Sequence, residues 1–196
     1  MTTAIAEAPR TSEGTTNLKR FVPLDVFFSR YSDREDGYKY EWNNGIVEKT
    51  ARTMNRDQSK IQEEILAYFY SNPQFRQRGA FIVELDMFMP TINRTRRADM
   101  AFLTRQQMNN VTKGDTSVAS FAIEIISLHD KINEFETRLK EYFANGVRVV
   151  WQIIPLSETV KVYTSVKNVQ ICQGNDVCSA APALPNFQMT VADILK

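Results

Sequence analysis

A single carboxylate stands in the middle of an apolar run, Phe121-Ala122-Ile123-Glu124-Ile125-Ile126-Ser127, and that run limits what the chain can fold into. Continuous apolar segments of this length, rich in Ile and bounded by polar residues, mark a strand covered on both faces. Neither side of such a strand faces water. An unpaired buried carboxylate costs several kcal/mol or takes up a proton, so Glu124 calls for a cation, a metal or a hydrogen-bond network.

The chain has 196 residues, 43% of them hydrophobic, which is enough for one well-formed core and short for two. One domain over residues 19–196 is expected, preceded by a disordered tail over residues 1–18 that is built of Thr, Ser, Ala and Glu. The tail has no apolar centre of signal-peptide length, and no 18-residue apolar stretch occurs, so a cytoplasmic protein with no membrane association is expected. Lys and Arg total 24 against 23 Asp and Glu, so any basic surface has to be local.

Composition removes several chemistries. His129 is the only histidine, which excludes a multi-histidine metal site within one chain. None of the seven glycines falls in a dinucleotide or P-loop pattern, so no organic cofactor is expected. Cys172 and Cys178, with five residues between them, match no common zinc spacing and read as reduced thiols. Carboxylates, lysines and arginines are what remain.

Pro23 followed by Leu24 to Tyr31 predicts a short helix. Tyr38–Trp42 and Ile46–Thr50 predict a hairpin turned by Asn43-Asn44-Gly45. Ile61, Ile65, Leu66 and Phe69 place a helix over about 55–70. Residues 81–89 alternate, with Phe81, Val83, Leu85, Met87 and Met89 predicted on one face and Ile82, Glu84, Asp86 and Phe88 on the other. Further strands are predicted over 98–103, 121–127, 147–154 and 159–163, with a polar loop over about 104–120 and a helix over about 131–145. A helix crossing between neighbouring strands gives a mixed α/β sheet with helices packed on it.

Asp99 and Glu124 then lie on short central strands, and two carboxylates on neighbouring strands can share a divalent cation. Magnesium or manganese takes oxygen ligands from one or two carboxylates, with waters and substrate phosphate completing its shell. Such an ion lowers the pKa of bound water and neutralises charge on a scissile phosphate, so the pair suits phosphodiester hydrolysis without histidine.

The order Tyr40-Glu41-Trp42-Asn43-Asn44-Gly45-Ile46-Val47, Arg96-Arg97-Ala98-Asp99-Met100, Ile123-Glu124-Ile125-Ile126-Ser127 and Lys140-Glu141-Tyr142-Phe143-Ala144-Asn145-Gly146-Val147, with Trp151 downstream, resembles the Uma2 family of bacterial restriction-endonuclease-like proteins. The resemblance spans roughly residues 21–195 and implies a PD-(D/E)xK-type fold, a central mixed sheet flanked by helices. It implies metal binding by Asp99 and Glu124, a further acidic contribution from Glu41, and a catalytic ammonium from Lys140. Three positions depart from the family pattern: Ala98 replaces the proline before the aspartate, Ser127-Leu128-His129 replaces Ser-Pro-Ser, and Ile126 stands where the superfamily carries its lysine.

Each assignment has an ordinary rival. Asp99 follows two arginines and could form a strand-end ion pair with them, whereas Arg96 and Arg97 would equally serve as phosphate ligands. Lys140 reads as a catalytic cation or as an ion-pair partner of Glu136. Glu84 is a further candidate on the strand beside Asp99, and Arg76 and Arg78 extend a basic patch. His129 reads as a loop residue outside the site, and Trp42 and Trp151 as core. Together these readings predict a Mg2+- or Mn2+-dependent endonuclease acting on DNA as a homodimer. The alternatives are an inactive nuclease-fold module that binds DNA or protein, and a hydrolase of a smaller phosphate ester.

Overall fold

The computed structural model describes residues 20–51, 56–111, 118–127 and 132–196. The predicted tail over 1–18, the start of the helix predicted near residue 55, and His129 lie outside the described residues. Helix α1 (Leu24–Arg30) leads into the hairpin β1 (Tyr38–Asn43) and β2 (Ile46–Ala51). The turn works because Asn44 and Gly45 both adopt positive φ, 47° and 87°. Helices α2 (Arg56–Ser71) and α3 (Pro73–Arg78) precede the long hairpin β3 (Gly79–Met89) and β4 (Arg94–Thr104). Asn72 caps α3, its side chain accepting the Gln74 N–H, and Pro73 occupies the first helical position.

Arg105–Val111 forms a helix, α4, in a stretch where the sequence predicts loop. Next come β5 (Phe121–Ile125), α5 (Ile132–Ala144), β6 (Val149–Ile154), β7 (Thr159–Ser165), β8 (Asn168–Gln173), β9 (Val177–Ser179), β10 (Gln188–Thr190) and α6 (Val191–Ile194). The main sheet runs β2-β1-β4-β5-β6-β7-β8, with β3 also paired to β4. All pairs in it are antiparallel except β5–β6, which α5 connects by a crossover. The fold is therefore the mixed α/β sheet flanked by helices that the sequence predicts.

Two packed clusters lie on opposite faces of the sheet. On one side Ile61, Ile65 and Phe69 of α2 and Phe75 of α3 pack with Phe121, Ile123, Trp151, Phe187 and Ile194. On the other, Phe135, Leu139 and Tyr142 of α5 pack with Ala122 and Val150. Because Phe121, Ile123 and Ile125 face the first cluster and Ala122 the second, Glu124 faces α5. Trp42 and Trp151 are both buried core residues, and Cys172 and Cys178 are buried free thiols.

The predicted alternation of β3 fails at Glu84. Phe81 belongs to the first cluster, but Leu85, Met87 and Met89 pack on the second. Glu84 has φ +54°, a left-handed conformation that interrupts an extended strand. The ladder pairs Val83 with Met100 and Leu85 with Ala98 but omits Glu84 and Asp99 between them. Strand β4 changes sides at the same level, with Met100 and Phe102 in the first cluster and Ala98 in the second. The hairpin thus turns over at Asp99.

Candidate active site

That turn in the hairpin coincides with a split in the sheet. β3 pairs with β4 from Gly79↔Thr104 to Met89↔Arg94, leaving one edge of β4 for both β5 and β1. β5 takes Met100, Ala101 and Phe102, and β1 takes Arg94. Between them the edge at residues 95–99 has no strand partner, and side chains fill the opening. Asp99 Oδ2 accepts the Ile125 N–H at 2.7 Å, Glu41 Oε1 accepts the Arg97 N–H at 3.3 Å, and Thr95 Oγ1 accepts the Trp42 N–H at 2.6 Å.

Glu124 is 2% exposed and its partners come from α5. Tyr142 donates its hydroxyl to Glu124 Oε1 at 2.5 Å, and Arg138 Nη1 donates to Oε2 at 2.7 Å. Residues 138 and 142 are four apart and share a helix face. Burial and the Glu124 charge push the Tyr142 hydroxyl well above its ordinary range, which keeps it a donor. The same Glu124 charge outweighs desolvation at Arg138 and holds that guanidinium firmly cationic.

Asp99 has the opposite environment. Burial first, and then the Glu124 charge, push its carboxyl up to about 6, against the pull of Lys39, the Ile125 N–H and Arg138. Two carboxylates crowd one site, and the second resists ionising. Lys39, half-buried on β1 two residues before Glu41, is the cation of that strand whose charge bears on both Asp99 and Glu41.

The structure brings Asp99, Glu124 and Glu41 into one neighbourhood, but it engages Glu41 differently from the other two. Glu41 Oε2 pairs with Arg96 Nη1 at 2.7 Å, and Oε1 lies 4.0 Å from Arg138 Nη2. Burial raises the Glu41 pKa, yet Arg138, Lys39, Arg96 and the Arg97 N–H together bring it down to about 2. A carboxyl depressed in this way contributes stability that is full above pH 4.5 and is lost as pH falls through about 2. The contribution is on the order of 3 kcal/mol. Urea unfolding midpoints measured from pH 2 to pH 7 are expected to fall steeply below pH 4.5 in the wild type and less steeply in Glu41→Gln.

Three expectations are corrected. Arg96 and Arg97 are not phosphate-facing: they are 6% and 5% exposed, and their guanidinium groups are already paired inside the protein. Arg96 Nε bonds Glu141 at 2.5 Å in addition to its contact with Glu41. Arg97 makes a two-point pair with Asp86, with Nε to Oδ1 at 2.8 Å, and Ser32 completes it through its carbonyl and hydroxyl. These arginines compensate buried acids. Nor is Arg97 or Arg96 a partner for Asp99.

Lys140 lies on the exposed side of α5, away from Glu124, and the cation at that carboxylate is Arg138. Positions 138 and 140 are separated by about 200° around a helix, so only one of them can face the sheet. Glu84 is half-buried at the ladder gap opposite Asp99. Arg76 and Arg78 are exposed on α3. Gln152, the β6 neighbour of Glu124 in register, is buried and accepts the Tyr163 hydroxyl at 3.2 Å.

The donor set suits a hard cation. Asp99 and Glu124 supply oxygen alone, and among the described residues no group of three or more His, Cys, Asp or Glu side chains is placed to hold a metal ion. Mg2+ and Mn2+ are ions that bind through one or two carboxylates and otherwise keep waters or take substrate oxygens.

The fold and site thus define a mixed α/β sheet with helices on both faces, split beside two acidic groups on adjacent central strands. The chain belongs to the Uma2 family, described as "Putative restriction endonuclease", whose model matches residues 25–192. A crystal structure of a "putative nuclease belonging to DUF820" from Anabaena variabilis ATCC 29413 superposes with a TM-score of 0.71 at 16% identity, covering 89% of this chain and 97% of that one. At that identity the likeness shows the fold. No curated protein matches the chain. Among the described residues, no helix is long and apolar enough to cross a membrane.

Proposed function

We propose that this protein is a divalent-metal-dependent endonuclease that hydrolyses phosphodiester bonds in DNA at the Asp99–Glu124 site. The observation that carries the reading is the placing of two carboxyl groups, Asp99 and Glu124, on adjacent strands at the split of the sheet, where burial first and the Glu124 charge second push the Asp99 carboxyl up to about 6. A cation relieves that repulsion. Membership of a nuclease-like family gives the reaction class its support.

Asp99 and Glu124 would hold Mg2+ or Mn2+, which supplies a Lewis acid for the phosphate and a water of lowered pKa. The chain's own groups position and neutralise. The Ile125 N–H fixes one Asp99 oxygen, Tyr142 fixes one oxygen of Glu124, and Lys39 adds positive charge on the β1 side of the opening. Glu41 holds Arg96 and the Arg97 backbone and thereby keeps β1 against β4 where their ladder has opened. A homodimer is part of the proposal, because two symmetry-related sites cut both strands of a duplex most simply.

The substrate class is tested by measuring Mn2+-dependent hydrolysis of supercoiled plasmid and of bis(p-nitrophenyl) phosphate side by side. Plasmid cleavage abolished by EDTA is expected. Turnover of the small ester with intact plasmid would make the protein a small-ester hydrolase instead.

A further inference from the structure

Arg138 occupies a place that a metal-binding carboxylate ordinarily leaves to the metal. Its Nη1 donates to Glu124 Oε2 at 2.7 Å, and its Nη2 lies 4.0 Å from Glu41 Oε1, so one guanidinium spans two of the three acids at the split. Its Nε is buried without a hydrogen-bond partner among the described residues. An unsatisfied donor on a buried cation is costly, so this seat uses only part of what the guanidinium can bind. The planar fork of arginine matches the oxygens of a phosphate as well as those of a carboxylate. Glu124 has its other oxygen on Tyr142, so Oε2 is the oxygen for which Arg138 and an incoming cation compete.

We propose that Arg138 is a displaceable cation: it neutralises Glu124 when the site holds no metal and, when a divalent ion takes that carboxylate, carries its guanidinium to a phosphate oxygen of the nucleic acid. This rests on the metal-dependent nuclease reading. Two consequences follow from charge alone. The arginine weakens metal binding in the absence of substrate, because an internal cation must first leave the carboxylate. It also couples the two ligands, because the phosphate receives the guanidinium that the metal releases, and such coupling is reciprocal.

The test is Mn2+ binding to the full chain by isothermal titration calorimetry, with and without a nuclease-resistant phosphorothioate DNA duplex. Wild type, Arg138→Met, Arg138→Lys and Asp99→Ala are compared, with folding followed by far-UV circular dichroism. In the wild type the duplex is expected to tighten Mn2+ binding at least fivefold. In Arg138→Met, Mn2+ binding without DNA is expected to be about tenfold tighter than in the wild type, and the tightening by DNA to disappear. If the methionine variant does not fold, Arg138→Lys, which keeps the charge but loses the fork, is expected to move both quantities in the same directions by smaller factors.

A wild type in which DNA leaves Mn2+ affinity unchanged overturns the proposal, as does unchanged or weaker Mn2+ binding in a folded Arg138 variant. Absence of any Mn2+ binding, or equal binding by wild type and Asp99→Ala, overturns the metal site itself and so is distinguishable from failure of the displacement alone.

Discussion

Asp99→Asn is expected to abolish metal-dependent cleavage while making the metal-free protein more stable. Asparagine keeps an oxygen for the Ile125 N–H and removes the charge that a cation would bind. Loss of several kcal/mol of metal-based transition-state stabilisation corresponds to a fall of at least roughly a thousandfold in rate. Stability moves the other way. The carboxyl is pushed from 3.8 up to about 6, so its ionisation opposes folding above that pH. In the wild type this contribution declines as pH rises from about 4 to about 6 and stays low above, since the folded state holds the proton more tightly than the unfolded one.

Asparagine removes that cost, worth on the order of 2–3 kcal/mol. Urea unfolding in EDTA at pH 7.5 should therefore show a higher midpoint for Asp99→Asn, with the advantage gone near pH 4. A variant equal to or less stable than the wild type at pH 7.5 would show that the Asp99 charge is well compensated. Its crowding would then be no reason to expect a metal.

Glu124→Ala should be among the most destabilising single changes in the chain. It leaves Arg138 and the Tyr142 hydroxyl without their shared partner at a site where Glu124 is 2% exposed. Removing one member of a buried pair costs roughly 3–5 kcal/mol, mostly through the charge left behind. The double variant Glu124→Leu with Arg138→Leu is expected to recover much of that loss, because apolar side chains of similar volume need no compensation there. Equilibrium urea denaturation of Glu124→Leu, Arg138→Leu and their double measures the coupling. Additive losses would mean that the pair does not act as a unit.

Much of this site is legible in the sequence, for reasons that differ by residue. Glu124 stands out because a charge in a doubly covered strand has to be compensated, and that inference needs only the apolar run around it. The compensating groups are harder to read. The apolar stripe of α5 is plain in Phe135, Leu139 and Tyr142, but Tyr142 reads as one more core ring until its hydroxyl is seen against Glu124. The spacing of Arg138 and Tyr142, four apart beside that stripe, is the signal that finds the arginine. Lys140 is distinguished in the sequence only by its place in a family motif.

Arg96 and Arg97 are opaque in the sequence for a different cause. Their acidic partners, Glu41, Glu141 and Asp86, lie 55, 45 and 11 residues away, and no local pattern connects them. A cluster of arginines looks basic in sequence even where every charge is matched in space. The face change of β3 was equally hidden, because alternation predicts a uniform strand and glutamate carries no preference for the left-handed φ found at Glu84. Strands β1 to β7 are legible as apolar or alternating runs bounded by turn residues. The split that opens the site follows from β4 being longer than either of its neighbours on that edge.

The most direct test is cleavage of supercoiled plasmid at pH 7.5 by purified wild type and Asp99→Asn, each with Mg2+, with Mn2+ and with EDTA. Nicked or linear product from the wild type with a divalent metal, none with EDTA and none from Asp99→Asn is the expected result. Equal cleavage by the two proteins, or none by the wild type with either metal, would contradict a metal-dependent nuclease site at Asp99 and Glu124.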